Sequence, residues 1–447
     1  MSTFTHIILA LGISTAAFGQ DFNPQEFAAR RASLIGSTGD GVTVILGNSS
    51  HLHAARFHQS PDFFYLTGIS EPDGVLVMDG KTSRSTVFLR MLSPFEAMWN
   101  GPRLLNKPGS EERYGIELRP LAELEEFLEE ILEDEDKMYV QIRPPDQLQA
   151  ARGEVAHATQ DQREHPLLGD RRSDVQVAIE RLLAIRPDAG VIDVTGAIDE
   201  MRWTKTPYEI ERLRKAGRIG AAGFVEAIRG TEPGVWEYEI EAETRYVYQS
   251  SGAGDAFIPI VASGPNTLII HYQENDRQTQ SGDVILMDYG AEVDGYTSDI
   301  TRMWPVSGRF SNSQEKMYRC ILEASKAMIA AIKPGVMESD LQDVAEAVYR
   351  KHGFLSEFEQ FGRYVGHPVG LSVHDPDPGA GPAPDVPFQV GTVFNVEPLL
   401  SVAEEGIHMR LEDTILVTED GAENLTAGVP VEIEEIYALI RDVDGTR

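Results

Sequence analysis

The stretch from residue 288 to residue 302 constrains the fold and the chemistry of this chain more than any other. Residues 284–287 are an apolar run that predicts a strand buried on both faces, and Asp288 ends that run. An Asp-Gly pair at 294–295 is a strong signal for a two-residue hairpin turn. Around that turn, Asp288 and Asp299 become diagonal neighbours on one face of the sheet, roughly 7–8 Å apart at the backbone.

Two buried carboxylates this close repel each other unless a proton or a cation lies between them. We therefore interpret Asp288 and Asp299 as metal ligands. The competing interpretation is that one is a turn residue and the other a solvated charge. The pair alone does not decide between the two interpretations.

The rest of the C-terminal half adds further side chains that can bind metals. A segment punctuated by glycines holds His367 and His374, an apolar run ends on Glu397, and an alternating segment contains Arg410 and Glu412. Each has an ordinary structural explanation when taken alone. Together the candidate ligands are four carboxylates and one imidazole: Asp288, Asp299, His367, Glu397 and Glu412. This oxygen-rich set suits Mn²⁺, Co²⁺, Fe²⁺ or Zn²⁺ in a two-metal site better than a structural zinc.

The composition limits the partners that the protein can have. With 39 basic and 71 acidic residues, the formal net charge is −32, which argues against nucleic acid or an anionic membrane as a partner. After the N-terminal segment, no stretch is long and apolar enough to insert stably in a membrane. The single cysteine, Cys320, excludes an internal disulfide and a cysteine-based zinc cluster.

Residues 1–19 have the pattern of a signal peptide, although they carry no Lys or Arg. A short apolar core at 7–13 precedes Ala17-Phe18-Gly19, and the small residues at the first and third of these positions suit cleavage before Gln20. We therefore expect export to the periplasm or the medium. Without a functional signal, the protein would be cytoplasmic.

Strand and helix signals then predict an N-terminal α/β domain over residues 20–170. Its strands are predicted at 42–46, 63–69, 74–78 and 86–91, its helices near 24–35 and 121–132, and Trp99 in a polar loop. Residues 151–172 are polar and predict a connecting loop or insertion.

Residues 171–200 are predicted as a linker region, with a helix at 174–183 and a short strand at 191–194. Residues 201–447 are predicted as a second domain, which contains all the candidate metal ligands. Its helices are expected at 207–229, at 313–332 and from Asp340, capped by Ser339, to Gly353. The apolar run before His271 predicts a strand that ends at this histidine.

These motifs resemble those of the pita-bread metallopeptidases, and within them bacterial aminopeptidase P, an Xaa-Pro aminopeptidase. The resemblance rests on residues 288–308, the His367/His374 pair, residues 396–398 and residues 410–413. It covers nearly everything after residue 22, including the stretches at 63–68, 98–101 and 423–426.

The resemblance implies an α/β protein with a small N-terminal α/β domain followed by a pita-bread (creatinase/aminopeptidase-type) catalytic domain. It also implies two divalent metal ions per subunit, with Mn²⁺ as the first expectation. The expected substrates are peptides with proline at the second position. A homodimer or homotetramer is expected, in which the N-terminal domain of one subunit borders the site of another.

For the metals, the resemblance implies that Asp288 binds one ion, that Asp299 and Glu412 bridge both, and that His367 and Glu397 bind the other. A hydroxide between the two ions would attack the peptide carbonyl before proline. Glu397 would then pass a proton to the leaving nitrogen.

For the substrate, the resemblance implies that His271 and His374 contact the peptide and the tetrahedral intermediate. Arg410 would orient its carboxylate neighbours. Two positions depart from the family pattern on the substrate side, Arg363 in place of a histidine and Leu399-Leu400-Ser401 in place of Gly-Leu-Tyr. These departures concern the substrate preference, whereas all five ligand positions are filled.

The nearest alternative function is a prolidase, which cleaves Xaa-Pro dipeptides with the same metal ligands. A creatinase-like hydrolase and a non-catalytic pita-bread binding module are disfavoured, because both lose ligands and every ligand position is filled here. Activity on peptides longer than a dipeptide separates the first two functions.

Overall fold

The computed structural model describes residues 22–49, 56–164, 166–167, 169, 172–378 and 386–441. The predicted signal peptide lies outside the described residues. The α-helices are α1 Pro24–Thr38, α2 Pro61–Thr67, α3 Pro94–Asn100, α4 Ser110–Tyr114, α5 Leu124–Ile131, α6 Arg152–Glu164, α7 Asp174–Ile185, α8 Thr195–Trp203, α9 Pro207–Gly230, α10 Glu237–Ser250, α11 Asn312–Ala331, α12 Glu338–His352, α13 Leu355–Gln360 and α14 Ile433–Arg441. The strands are β1 Val42–Leu46, β2 Val75–Asp79, β3 Arg84–Leu89, β4 Glu117–Pro120, β5 Lys137–Val140, β6 Gly190–Asp193, β7 Gly254–Asp255, β8 Ile260–Ser263, β9 Val284–Asp288, β10 Ala291–Val293, β11 Tyr296–Thr297, β12 Thr301–Pro305, β13 Val393–Val396, β14 Leu399–Val402, β15 Ile407–Arg410, β16 Asp413–Val417 and β17 Ala422–Asn424.

A six-stranded mixed sheet organises the N-terminal half, with the strand order β4-β3-β2-β1-β5-β6. The β1–β2 and β2–β3 pairs are antiparallel. The β3–β4, β1–β5 and β5–β6 pairs are parallel. Strand β6 and helix α7 fall within residues 171–200, which we predicted as a linker region that contains these two elements. Because β6 pairs with β5, part of that region is integral to the N-terminal sheet. The domain boundaries themselves stay predictions.

The strand predicted at residues 63–69 is wrong, because this segment forms helix α2. Its aromatic residues suggested a strand, but the signals at both ends favour a helix. Pro61 occupies the first turn, and Gly68 ends the helix in the left-handed conformation, at φ 68°, with its N–H bonded to Phe64 O. Since both faces of α2 are buried, its apolar residues follow neither the period of an amphipathic helix nor the alternation of a half-buried strand.

The loop predicted at residues 151–172 is also wrong for its first part, which forms α6. The sequence there is polar because much of α6 faces solvent. Trp99 likewise lies in α3 rather than in a loop. His271 does not end a strand; β8 ends at Ser263, a 3₁₀ turn follows at Gly264–Leu268, and His271 lies in the exposed turn after it.

The catalytic half is built from small antiparallel sheets packed against long helices. Their orders are β11-β10-β7, β12-β9-β8, β13-β16-β17 and β14-β15. The hairpin predicted around residues 294–295 is confirmed, because Val293 pairs with Tyr296. The same register continues to the pair between Thr301 and Asp288, so Asp288 and Asp299 are diagonal neighbours as expected.

The long helices of the catalytic half largely follow the sequence signals. Helix α9 begins with the predicted capping box of Thr206 and Glu209. Helix α12 begins at Glu338 rather than at Asp340, so Ser339 lies inside it and does not cap it. The Asp340 carboxylate instead accepts a hydrogen bond from the Met337 N–H at 2.9 Å.

Seven buried charged side chains, which we call the buried charge cluster, join the two halves: Asp62, Asp146, Arg152, Asp199, Arg202, Lys205 and Asp375. Arg152 lies 2.8 Å from Asp62 and 2.7 Å from Asp199. Arg202 lies 2.7 Å from Asp62 and 2.6 Å from Asp375. Each carboxylate has a cationic partner, and this pairing offsets the cost of burying its charge. The cluster thereby connects α2, α6, α8 and the loop that carries His374.

The described part of the chain contains no helix that is both long enough and apolar enough to cross a bilayer.

Candidate metal and active site

One cavity of about 800 Å³ contains every site residue predicted from the sequence. These residues are His271, Asp288, Asp299, His367, His374, Glu397, Arg410 and Glu412. Strand ends supply most of the acidic groups: Asp288 is the last residue of β9, Glu397 follows β13, and Glu412 lies between β15 and β16. The small sheets of the catalytic half therefore converge on this cavity.

Asp299, His367 and Glu412 form the tightest group, with one ligand atom from each within 4.8 Å of the others. His367 Nε2 lies 3.5 Å from Asp299 Oδ2, 3.6 Å from Glu412 Oε1 and 3.8 Å from Glu397 Oε2. His367 Nδ1 donates to Pro368 O at 3.0 Å, since a carbonyl can only accept. In neutral His367 the Nε2 lone pair then faces the carboxylates, as metal ligation requires.

The acidic groups of the cavity make one another harder to ionise. Burial, followed by the charges of Glu412, Asp288 and Glu397, raises the pKa of Asp299 well above its usual range. Burial and the charge of Glu412 raise the pKa of Glu397 to about 7. Burial and the charge of Asp288 raise the pKa of Glu412 to about 7. A bound cation would remove this mutual repulsion.

Arg410 supplies the positive charge within this acidic group. Its Nη2 donates to Asp288 Oδ2 at 2.5 Å, its Nε donates to Thr301 Oγ1 at 3.1 Å, and its Nη1 lies 3.4 Å from Glu397 Oε1. The Thr301 hydroxyl in turn donates to Glu412 Oε2 at 2.6 Å. Arg410 and Thr301 thus contact three of the candidate ligands.

The two histidines that were not assigned to the metals lie on the cavity wall. The ring of His374 packs edge-on against the ring of His367, with centroids 4.2 Å apart and an interplanar angle of 80°. The Nδ1 of His374 faces Glu154 Oε2 on α6, at 3.2 Å. His271 reaches the same cavity from its exposed turn.

Sequence reasoning missed three residues of the site. The Tyr364 hydroxyl donates to Glu397 Oε2 at 2.6 Å, and Asn395 Nδ2 donates to Glu412 Oε1 at 2.6 Å. The third is Glu154, which lies far away in sequence. Alternation along β13 could have identified Asn395, because it lies two residues before Glu397. Nothing local marks Tyr364 or Glu154.

The departures from the family pattern have a structural outcome. Arg363 adopts a left-handed backbone, at φ 62°, and its side chain turns to α12, where Asp343 lies at 2.6 Å and Glu346 at 3.2 Å. The next residue, Tyr364, lines the cavity instead. Leu399 also lines the cavity, whereas the Ser401 hydroxyl is bonded to His408 Nδ1 at 2.6 Å.

Comparison with known proteins now adds to this geometry. Residues 211–419 match metallopeptidase family M24, and residues 27–140 match the aminopeptidase P N-terminal domain. The Xaa-Pro aminopeptidase of Escherichia coli K12 is 31% identical over 464 aligned positions, which cover 94% of this chain and 98% of that protein. The chain belongs to the aminopeptidase P family of metallopeptidases.

Solved structures of this family agree with that assignment. Aminopeptidase P from E. coli, solved with the inhibitor Pro-Leu, superposes with a TM-score of 0.82 at 27% identity and covers 96% of this chain and 100% of that one. A putative aminopeptidase P from Bacillus anthracis gives a TM-score of 0.81 at 29% identity, with 93% and 98% covered. The predicted fold, an N-terminal α/β domain before a pita-bread catalytic domain, is confirmed. The protein is a metal-dependent aminopeptidase.

Proposed function

We propose that this aminopeptidase removes the N-terminal residue of peptides whose second residue is proline, using two divalent metal ions. The observation that carries the proposal is the convergence of all five candidate ligands on one cavity with His271, His374 and Arg410. The relatives support the choice of substrate, because the E. coli protein is named an Xaa-Pro aminopeptidase.

The side chains present fit a pair of divalent cations. Asp288 Oδ1 and Asp299 Oδ1 are buried oxygens that accept no hydrogen bond within the described residues. Because a buried carboxylate oxygen that accepts no hydrogen bond is costly, these two oxygens favour a cation as partner. Asp288, Asp299, His367, Glu397 and Glu412 would hold the ions, with Mn²⁺ as the first expectation for this hard donor set. When bound, the ions would lower the pKa of a coordinated water and polarise the scissile carbonyl.

The protein's own groups supply the remaining steps. Glu397 would receive a proton from the attacking water and pass it to the leaving proline nitrogen, while the Tyr364 hydroxyl holds its Oε2. His271 and His374 would donate hydrogen bonds to the oxyanion. Arg410 would keep Asp288 in position through its 2.5 Å contact.

The decisive experiment compares metal-stripped protein with protein reconstituted with Mn²⁺, Co²⁺ or Zn²⁺, on Xaa-Pro dipeptides and on longer Xaa-Pro-Yaa peptides. We expect activity only after reconstitution, and cleavage of the longer peptides. Asp299→Ala and Glu412→Ala should lose both activity and bound metal, because each is proposed to contact both ions. Full activity in stripped protein would refute the metal mechanism. Cleavage of dipeptides alone would make the protein a prolidase.

We also propose that the protein is a homodimer or homotetramer. Helix α3 supports this proposal, because Phe95, Met98 and Trp99 are 66%, 71% and 72% exposed. Grouped apolar side chains of this size often mark a protein interface. Light scattering coupled to size-exclusion chromatography measures the mass, and Trp99→Glu should lower it if α3 lies in the interface.

A further inference from the structure

Helix α6 forms one wall of the active-site cavity. Glu154, Val155, Ala158 and Thr159 line the cavity together with the candidate metal ligands. Residues 154 and 158, and likewise residues 155 and 159, are four apart, so all four side chains lie on a single face of the helix. Asp161, by contrast, is exposed and does not line the cavity. This helix is the segment whose polar sequence predicted a loop.

The N-terminal end of α6 is held firmly against the loop that carries His374. Arg152 belongs to the buried charge cluster and is hydrogen-bonded to Asp62 and Asp199. Just before it, Leu148 O accepts from the Val373 N–H at 2.8 Å. The Ser372 hydroxyl donates to the carbonyl of residue 147 at 2.6 Å. The position of Glu154 beside the cavity is therefore fixed by contacts on both sides.

The Glu154 carboxylate has one oxygen available for a ligand. Its Oε2 accepts from the Ala151 N–H at 2.7 Å and lies 3.2 Å from His374 Nδ1. Within the described part of the chain, no hydrogen bond reaches Oε1, and the side chain is 48% exposed. The hydrogen bond from His374, followed by that from Ala151, lowers the pKa of Glu154 to about 2. The group is therefore an anion at any pH at which a peptidase works.

The groups of the cavity that lower the pKa of Glu154 by their charge are two histidines, His374 at 3.2 Å and His271. Asp288, Asp299, Glu397 and Glu412 are the remaining acidic groups that line the cavity, and all four are candidate metal ligands. The one Lys or Arg among the described lining residues is Arg410, which is buried against these ligands.

We propose that Glu154 forms a subsite for a cationic side chain, Lys or Arg, in the substrate residue next to proline. The identity of the substrate rests on the proposed function, whereas the subsite rests on α6 itself. A carboxylate at a partly exposed position attracts such a side chain modestly, so a preference of about 3–10-fold over an uncharged chain of the same length is expected.

The test measures kcat/KM for Xaa-Pro-Yaa peptides in which Xaa or Yaa is Lys, norleucine or Glu. Wild-type protein should prefer Lys over norleucine, and norleucine over Glu, at one of the two positions. Glu154→Gln should remove the preference, Glu154→Lys should reverse it, and Glu154→Asp should keep its sign. Asp161→Asn is the matched control and should behave as wild type. Because the attraction is electrostatic, 0.5 M KCl should weaken it.

A binding measurement separates this proposal from the proposed function. Calorimetry measures how tightly metal-free protein binds Lys-Pro-Leu, norleucine-Pro-Leu and a peptide with Lys at the third position. This measurement needs no catalysis. A Lys preference that Glu154→Gln abolishes supports the subsite, even if no Xaa-Pro peptide is cleaved and the proposed function fails. The subsite is refuted if wild-type protein shows no Lys preference at either position, or if Glu154→Gln retains it. Melting temperature and metal content verify that each variant is folded.

Discussion

The rings of His367 and His374 are neighbours, yet their nitrogens face different groups. His367 Nε2 lies within 3.8 Å of the carboxylates of Asp299, Glu397 and Glu412. His374 Nδ1 faces Glu154 at 3.2 Å. The first arrangement suits a metal ligand, whereas the second suits a residue that is oriented from α6 and contacts the substrate.

This difference predicts separate outcomes for two variants. His374→Ala should keep near-normal metal content while kcat falls by about 10²–10³, the usual cost of losing one oxyanion donor. His367→Ala should lose metal and activity together. Elemental analysis beside steady-state kinetics on an Xaa-Pro peptide makes the comparison. Loss of metal from His374→Ala to the same extent as from His367→Ala would show that the two roles are assigned wrongly.

Tyr364 allows a second test at single-residue scale. Tyr364→Phe removes the 2.6 Å hydrogen bond to Glu397 Oε2, and since hydrogen bonds to charged groups contribute roughly 1.5–3 kcal/mol, kcat should fall about tenfold or more. Metal content and the KM value should change little. The control is Tyr318→Phe, whose hydroxyl donates to Val431 O at 2.8 Å away from the cavity. Unchanged kcat in Tyr364→Phe would remove this residue from the catalytic set.

At the scale of elements, the buried charge cluster holds α2, α6 and α8 against the loop that carries His374. Arg202 alone contacts Asp62, Asp146 and Asp375, each at 2.7 Å or less. Asp375 directly follows His374, so this contact also fixes a site residue. The cluster is therefore both a structural connection and part of the support of the active site.

Removing Arg202 should be strongly destabilising. Arg202→Met would remove one cationic partner from each of three buried carboxylates. Losing one member of a single buried pair already costs about 3–5 kcal/mol of stability. Urea denaturation measures the change in the free energy of unfolding. Arg350→Met removes the exposed partner of Glu346 and should change it by less than about 1 kcal/mol. Equal effects of the two variants would mean that the cluster contributes no more than a surface pair.

The elements that the sequence predicted well are those with local signals. The Asp-Gly turn at 294–295 fixes the register of its own hairpin, and the capping box at Thr206 fixes the start of α9. Helix α2 has both faces buried, and α6 is largely polar, so neither shows a period that could be read. Their positions follow from tertiary contacts with Arg152 and Arg202. The metal ligands were predictable because their chemistry and order are specific, whereas Glu154 depends on where α6 docks.

At the scale of the whole molecule, the acidic site should make the stability of metal-free protein depend on pH. The pKa values of Glu397 and Glu412 are raised from 4.5 to about 7 in the folded state. Between pH 4.5 and about pH 7, the folded state therefore binds more protons than the unfolded state. This contribution to stability is fully present below about pH 4.5 and is lost as the pH rises through about 7.

We expect the melting temperature of metal-free protein to fall between about pH 5 and pH 8. Adding Mn²⁺ at pH 8 should raise it again, because an ion that binds only the folded state stabilises that state. The double variant Glu397→Gln/Glu412→Gln should show a flatter pH profile. A melting temperature of metal-free protein that rises over this range would contradict the raised pKa values.

Export is the remaining proposal about the whole protein, and it rests on the apolar core at 7–13 and the Ala17-Phe18-Gly19 segment. Protein purified from its own cells should begin near Gln20, and intact-mass measurement determines its first residue. Retention of Met1 or Ser2 in that material would reject the signal peptide.

The buried charge cluster also restricts how this protein can be recombined with its relatives. Asp62 comes from the N-terminal half, whereas Arg202 and Asp375 lie on or beside the catalytic half. A chimera that exchanges the N-terminal half would keep these pairs only if the incoming half carried acids at the positions of Asp62 and Asp146 and a base at that of Arg152. An incoming half without these groups should therefore lower the stability of the chimera, because Arg202 would lose buried carboxylate partners.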